Sequence, residues 1–240
     1  IMMGRGKDNL PVLLWFWVPV TSLGIILFVE HVLISGHPDW LVQENGPYEI
    51  LQVFILLLSI ITATIILFQM DKSNSWVFCW IVLATLCCIY VIGEEISWGQ
   101  HIFHWNTPDY WKLRNDQMET NLHNTSSWLD QKPRLILSLA IYLGGGIIPL
   151  IYQFKDKWLQ APWLKRLEII FPSKEFIVIA ALCFFINIAD KMADINGFLL
   201  FALNDEIEEM FLFYFEFLYL LLMKRRLVSS SATLSAHLCL

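Results

Sequence analysis

From Val53 to Phe68 the chain carries no charged side chain. A bilayer core of ~30 Å takes about 20 mostly apolar residues to cross as a helix. Comparable stretches recur at roughly 11–35, 48–70, 76–98, 134–154, 175–194 and 206–223. No water reaches the bilayer core, so each span must satisfy its own backbone hydrogen bonds, and short apolar stretches do so as helices. The predicted fold is an all-α polytopic transmembrane bundle of about six spans. It forms one domain over 1–227, followed by a flexible tail at 228–240. Composition agrees. The chain is 57% hydrophobic and 16% charged, with a mean hydropathy of +0.56, against roughly 45–50% and about 25% in soluble domains. An ordinary soluble enzyme and a disordered chain are both excluded. A net charge of -6 argues against nucleic acid as a partner.

The first stretch lacks a small-residue cleavage site and ends in Glu30-His31, so it is read as a retained span. The fourth carries Gly144-Gly145-Gly146 and Pro149, which membrane helices tolerate and which allow close helix approach. Orientation follows from Lys and Arg. Of sixteen such residues, eleven fall on the side of the termini, four (Lys112, Arg114, Lys132, Arg134) on the other, and Lys191 lies within a span. Both termini are therefore expected to be cytoplasmic. The long connection at 99–133 faces outward as an interfacial segment rich in Trp and Tyr. The segment 156–171 reads as an amphipathic piece on the cytoplasmic surface. Of the five cysteines, none lies in an outward loop and no CxxC occurs, so neither disulfides nor a zinc-thiolate site is expected.

Polar residues inside membrane spans are costly, so where they fall is informative. Here they gather at the outward helix ends: Glu30 and His31; Glu44, Asn45 and Glu49; Glu94 and Glu95; Asp190 and Asp194; Asp205, Glu206, Glu208 and Glu209. The outward loop adds Glu119, His123 and Asn124. Glu94, Ser97, His101 and His104 would share a stripe if the third helix continued to His104. Asn187, Asp190 and Asp194 form a similar stripe, and Glu119 and His123 are four apart. Carboxylate with imidazole is ligand chemistry for a divalent ion such as zinc or iron. Structural readings stand beside these. Glu206 and Glu208 would serve a helix dipole, Lys191 would pair with Asp190 or Asp194, and Glu30 and His31 would form a buried pair. Glu216, midway along the sixth span, requires a partner or a proton.

The string Gly93-Glu94-Glu95-Ile96-Ser97-Trp98-Gly99-Gln100, followed by Gln117-x-Glu119-x-Asn121-Leu122-His123-Asn124, resembles a signature of uncharacterised bacterial integral-membrane proteins. The resemblance covers about 30 residues. It implies the same polytopic fold in a bacterial inner (cytoplasmic) membrane, and it singles out Glu94, Glu95, Gln100, Glu119, Asn121 and His123. Arg is common in that family where His101 stands, which favours Glu119 with His123 as the ligand pair. Asp39-Trp40 followed by Glu44-Asn45 faintly resembles the entry segment of alkaline ceramidases, seven-helix zinc amidases of membrane lipids. This chain departs from them in having six spans and no histidine in the last two.

The expected function is a metal-assisted hydrolase or transferase acting on a lipid or lipid-linked substrate. Glu94, Glu119, His123 and His101 are the candidate ligands. Glu94, Glu95, Glu208 and Glu209 are the candidate catalytic carboxylates, and a bound cation would lower the pKa of water. Glu49, Gln100, Asn121, Asp190, Asp194 and Glu216 complete the polar site. Ser97 has no base spaced to activate it. No GxSxG, P-loop or HExxH occurs. A proton- or cation-coupled transporter and a non-catalytic subunit binding membrane partners or its own copies are the alternatives.

Overall fold

A computed structural model describes residues 9–33, 46–115, 117–154, 166–196, 200–201 and 204–238. Every regular element among them is helical. Helix α1 (Val18–Phe28) is flanked by π-helical Leu13–Trp17 and Val29–Leu33. Helices α2 (Pro47–Gln69) and α3 (Ser75–Glu95) form a hairpin. Its turn is tied by Asp71, which accepts from the Ser73 amide and hydroxyl at 2.9 and 2.7 Å. Those two donors hold the Asp71 carboxyl below its ordinary pKa. Helix α4 (Ser127–Ile141) continues through a π-helical stretch, Tyr142–Ile147, into Ile148–Phe154. Helices α5 (Phe176–Asn196) and α6 (Asn204–Leu238) follow. The sixth helix runs on through the Ser-rich stretch that composition marks as a flexible tail; that stretch contains neither Gly nor Pro to stop it.

Among the described residues, four stretches are long and apolar enough to cross a membrane: Leu13–His31, Pro47–Gln69, Ser75–Glu95 and Gln131–Tyr152. They expose large apolar side chains, among them Leu57, Ile61, Leu86 and Ile136. That pattern belongs to helices whose outer face meets lipid rather than water. Helix α6 is different. Met210, Phe211, Leu212 and Phe213 are consecutive and all buried, as are Phe215, Leu218, Leu220 and Leu222. A helix buried on every side is the axis of its bundle. It packs against α2, α4 and α5, and α3 reaches it beside α2. The close approach of α4 depends on Gly145, where an added Cβ would lie 2.3 Å from the Phe215 ring. Near the other end of α6, Arg226 donates to the carbonyls of Ile169 and Phe171, and the Tyr219 hydroxyl donates to that of Ile170.

Candidate functional site

Helix α3 stops at Glu95, so the stripe expected from Glu94 to His104 does not form. Ser97 and Trp98 have φ of 47° and 55°, and Gly99 has φ of 99°. The chain therefore turns over at Ser97–Gly99 instead of continuing as a helix. A left-handed conformation costs a non-glycine residue roughly 1–2 kcal/mol, and side-chain bonds offset that cost here. The Trp98 indole folds back over Gly93, where any Cβ would lie 3.0 Å from the ring, and donates to Glu94 Oε1 at 2.8 Å. Glu94 Oε2 accepts from the amides of Leu122 and His123 at 2.6 and 2.9 Å and lies 3.4 Å from His123 Nδ1.

The second half of the motif closes on the first. Glu119 Oε2 accepts from the Ser97 hydroxyl at 2.6 Å and from Asn121 Nδ2 at 2.7 Å. Asn115 Nδ2 donates to Asn121 Oδ1, while its Oδ1 accepts from the amides of Gln117 and Glu119. Gln100 Oε1 accepts from the Thr120 amide, and the Thr120 hydroxyl donates to the Ser97 carbonyl. Ser97, Asn115, Glu119 and Asn121 are all buried. Ser97 does acquire a carboxylate neighbour, which spacing alone did not offer. With 0% of its surface exposed, it acts as an anchor and is sealed from any substrate. Glu94, Gln100, Glu119 and Asn121 thus bind the loop that follows to the end of α3.

Glu95 takes no part in this network, and its carboxylate has no hydrogen-bond partner among the described residues. Its charge neighbours are Glu209, Glu206 and Glu49, with Arg134 as the cation. Arg134 is a salt-bridge partner of Asp205 at 2.5 Å and of Glu209 at 2.7 Å. Glu206 accepts from Gln52 Nε2 at 2.8 Å. The helix order brings these groups together: α2 supplies Glu49, α3 Glu95, α4 Arg134, and the first turns of α6 the remainder. Five carboxylates about one guanidinium are not balanced in a medium of low dielectric, so the cluster calls for further cations or protons.

The cluster forms the mouth of a cleft of about 1070 Å³ between α3, α4 and α6. Glu49, Glu95, His123, Arg134, Glu206 and Glu209 line one end. Below them the walls are apolar: Leu83 and Leu86 on α3, Ile136 and Ala140 on α4, Leu212 and Phe215 on α6. Leu83, Leu86 and Ile136 are also 53%, 57% and 68% exposed, so the cleft opens sideways between α3 and α4. Ile170, Phe171, Pro172 and Tyr219 line its far end. From Glu95 to Trp80, fifteen helical residues, the trough is about 22 Å deep.

Other expected site residues lie elsewhere. Glu208 points away from Glu209, taking bonds from Ser138 at 3.3 Å and Asn187 at 3.1 Å inside the bundle. Asp190 is 3.4 Å from Lys191. Glu30 accepts from the Tyr48 hydroxyl at 2.7 Å, while His31 bonds the Leu200 carbonyl, so the two do not pair with each other. The side chains of His101 and Asp194, like all of Glu44 and Asn45, lie outside the described residues. Glu216 accepts from the Cys88 thiol at 3.1 Å and lines the cleft partway down. Sequence reasoning missed Arg134 as a site residue, counting it only for topology. Its signal was available, because it is one of few cations on a side dominated by carboxylates. Among the described residues no group of three or more His, Cys, Asp or Glu is arranged to hold a metal ion. Comparison with family models, curated proteins and solved structures finds no match.

Proposed function

We propose that this chain is a six-pass protein of a bacterial inner membrane, with both termini cytoplasmic, that acts on a lipid or lipid-linked substrate as a hydrolase or transferase. The substrate's chain lies in the trough and enters sideways from the bilayer, and its polar group meets the carboxylates at the mouth. One observation carries the reading. Glu95 belongs to a motif in which Gly93, Glu94, Ser97, Trp98, Gly99 and Gln100 all have structural work, yet its own carboxylate lines the cleft with no hydrogen bond among the described residues. Glu95 is the general base that takes a proton from water or from an acceptor hydroxyl. Arg134, fixed by Asp205 and Glu209, is the cation beside the developing negative charge. A divalent cation bound among these carboxylates would supply charge that Arg134 alone does not.

The test is lipid turnover by the purified chain in mixed micelles of phospholipids, lysolipids and N-acyl lipids, read by mass spectrometry of the products. Wild type should form product, and Glu95→Gln should lose at least about a hundredfold in rate, the lower range of general-base effects, with its thermal stability kept. Product formation unchanged by Glu95→Gln, or none from any lipid with well-folded wild type, would defeat the reading.

A further inference from the structure

Glu209 and Glu216 are seven residues apart on α6, two turns on the same face, and both line the cleft. They therefore sit about 10 Å apart along the trough. Around Glu216 the lining is otherwise apolar or aromatic: Ala84, Cys87, Leu212 and Phe215, with the Tyr219 hydroxyl already engaged by Trp80 and the Ile170 carbonyl. One Glu216 oxygen is occupied by the Cys88 thiol from α3. Cys88 is wholly buried, so it fixes the carboxyl from behind rather than from inside the cleft. The other oxygen, Oε2, has no hydrogen-bond partner among the described residues. A carboxyl that served only to pair with a thiol would need no cavity in front of it. Apolar walls elsewhere in the trough bind a hydrocarbon chain, whereas a fixed polar group at one depth recognises a polar group at that depth.

We propose that the cleft selects an amphiphile whose chain carries a hydroxyl group about 10 Å below its head, and that Glu216 Oε2 accepts the hydrogen bond from that hydroxyl. The inference rests on the reading of the cleft as a lipid site and names its substrate class. Glu216 is a specificity residue; the reacting end stays at Glu95. In geometry, Cys88 orients the carboxyl and the chain's own hydroxyl completes its bonding.

Binding of two lysophosphocholines to the detergent-purified full chain tests this. One probe has a plain octadecanoyl chain and the other a mid-chain hydroxyoctadecanoyl chain, each titrated against wild type, Glu216→Leu and Glu216→Gln. Wild type should prefer the hydroxylated probe by about fivefold, the size of one net hydrogen bond. Glu216→Leu should bind both probes equally and the plain one no more weakly than wild type does. Glu216→Gln, which retains a carbonyl acceptor, should keep part of the preference and serves as the test should the leucine variant fail to fold. Equal binding of both probes to wild type, or an undiminished preference in Glu216→Leu and Glu216→Gln, overturns the hydroxyl inference and leaves the lipid reading intact. Failure of both probes to bind folded wild type overturns the lipid reading itself, and this inference with it.

Discussion

Adjacent glutamates at 94 and 95 have opposite roles. Glu94 is 4% exposed and accepts from two backbone amides and an indole. Removing it would leave three part-buried donors without their acceptor, at a cost of about 1 kcal/mol for each net hydrogen bond lost. Glu94→Ala should therefore lower the thermal midpoint of the detergent-solubilised protein by several degrees, and a fluorescence size-exclusion melt would record it. Glu95→Gln should leave that midpoint within a degree or two while lowering turnover by at least about a hundredfold, because no described hydrogen bond is lost. If the two variants exchanged these behaviours, Glu94 would not be the structural carboxylate of the pair. Gly99 is a third residue with a fixed role: at φ of 99°, Gly99→Ala should cost roughly 1–2 kcal/mol and loosen the loop without touching the cleft.

At the scale of elements, the contact between α4 and α6 is set by the smallest residue available. With Phe215 already packed edge-on against Phe176 at 5.1 Å, the ring has little freedom to retreat from a new methyl group. Gly145→Ala should destabilise by about 1–3 kcal/mol, the usual range for an overpacked core. The double variant Gly145→Ala/Phe215→Leu should recover part of the loss. A double-mutant cycle on thermal stability would measure the coupling, and strict additivity of the two changes would contradict the contact. The π-helical stretch Tyr142–Ile147 lies at the same place, so the glycine run accommodates both an irregular turn and a close neighbour.

At the scale of the molecule, the topology makes a prediction of its own. On a background lacking native cysteines, a cysteine placed at Ser126 in the loop should react with a membrane-impermeant maleimide added to intact cells. One placed at Lys72, in the turn between α2 and α3, should react only after the membrane is opened. The reverse pattern would invert the protein and place the carboxylate mouth on the cytoplasmic side.

The sequence alone determined that the chain is helical and built for a membrane, since that follows from local composition and the backbone's need for hydrogen bonds without water. It also located the carboxylates at the helix ends, because charge is rare in such helices and each exception stands out. Only the tertiary structure decided which of those carboxylates belong together. A spacing of three or four residues places side chains on one helix face, but Ser97–Gly99 break that helix, and left-handed residues in a short motif leave no periodic trace. Glu208 and Glu209 are neighbours in sequence yet point, about 100° apart around α6, to a buried hydrogen-bonded group and to the cleft respectively. The site draws on α2, α3, α4 and α6, and its shape depends on how four helices pack around α6 rather than on any order readable along one of them.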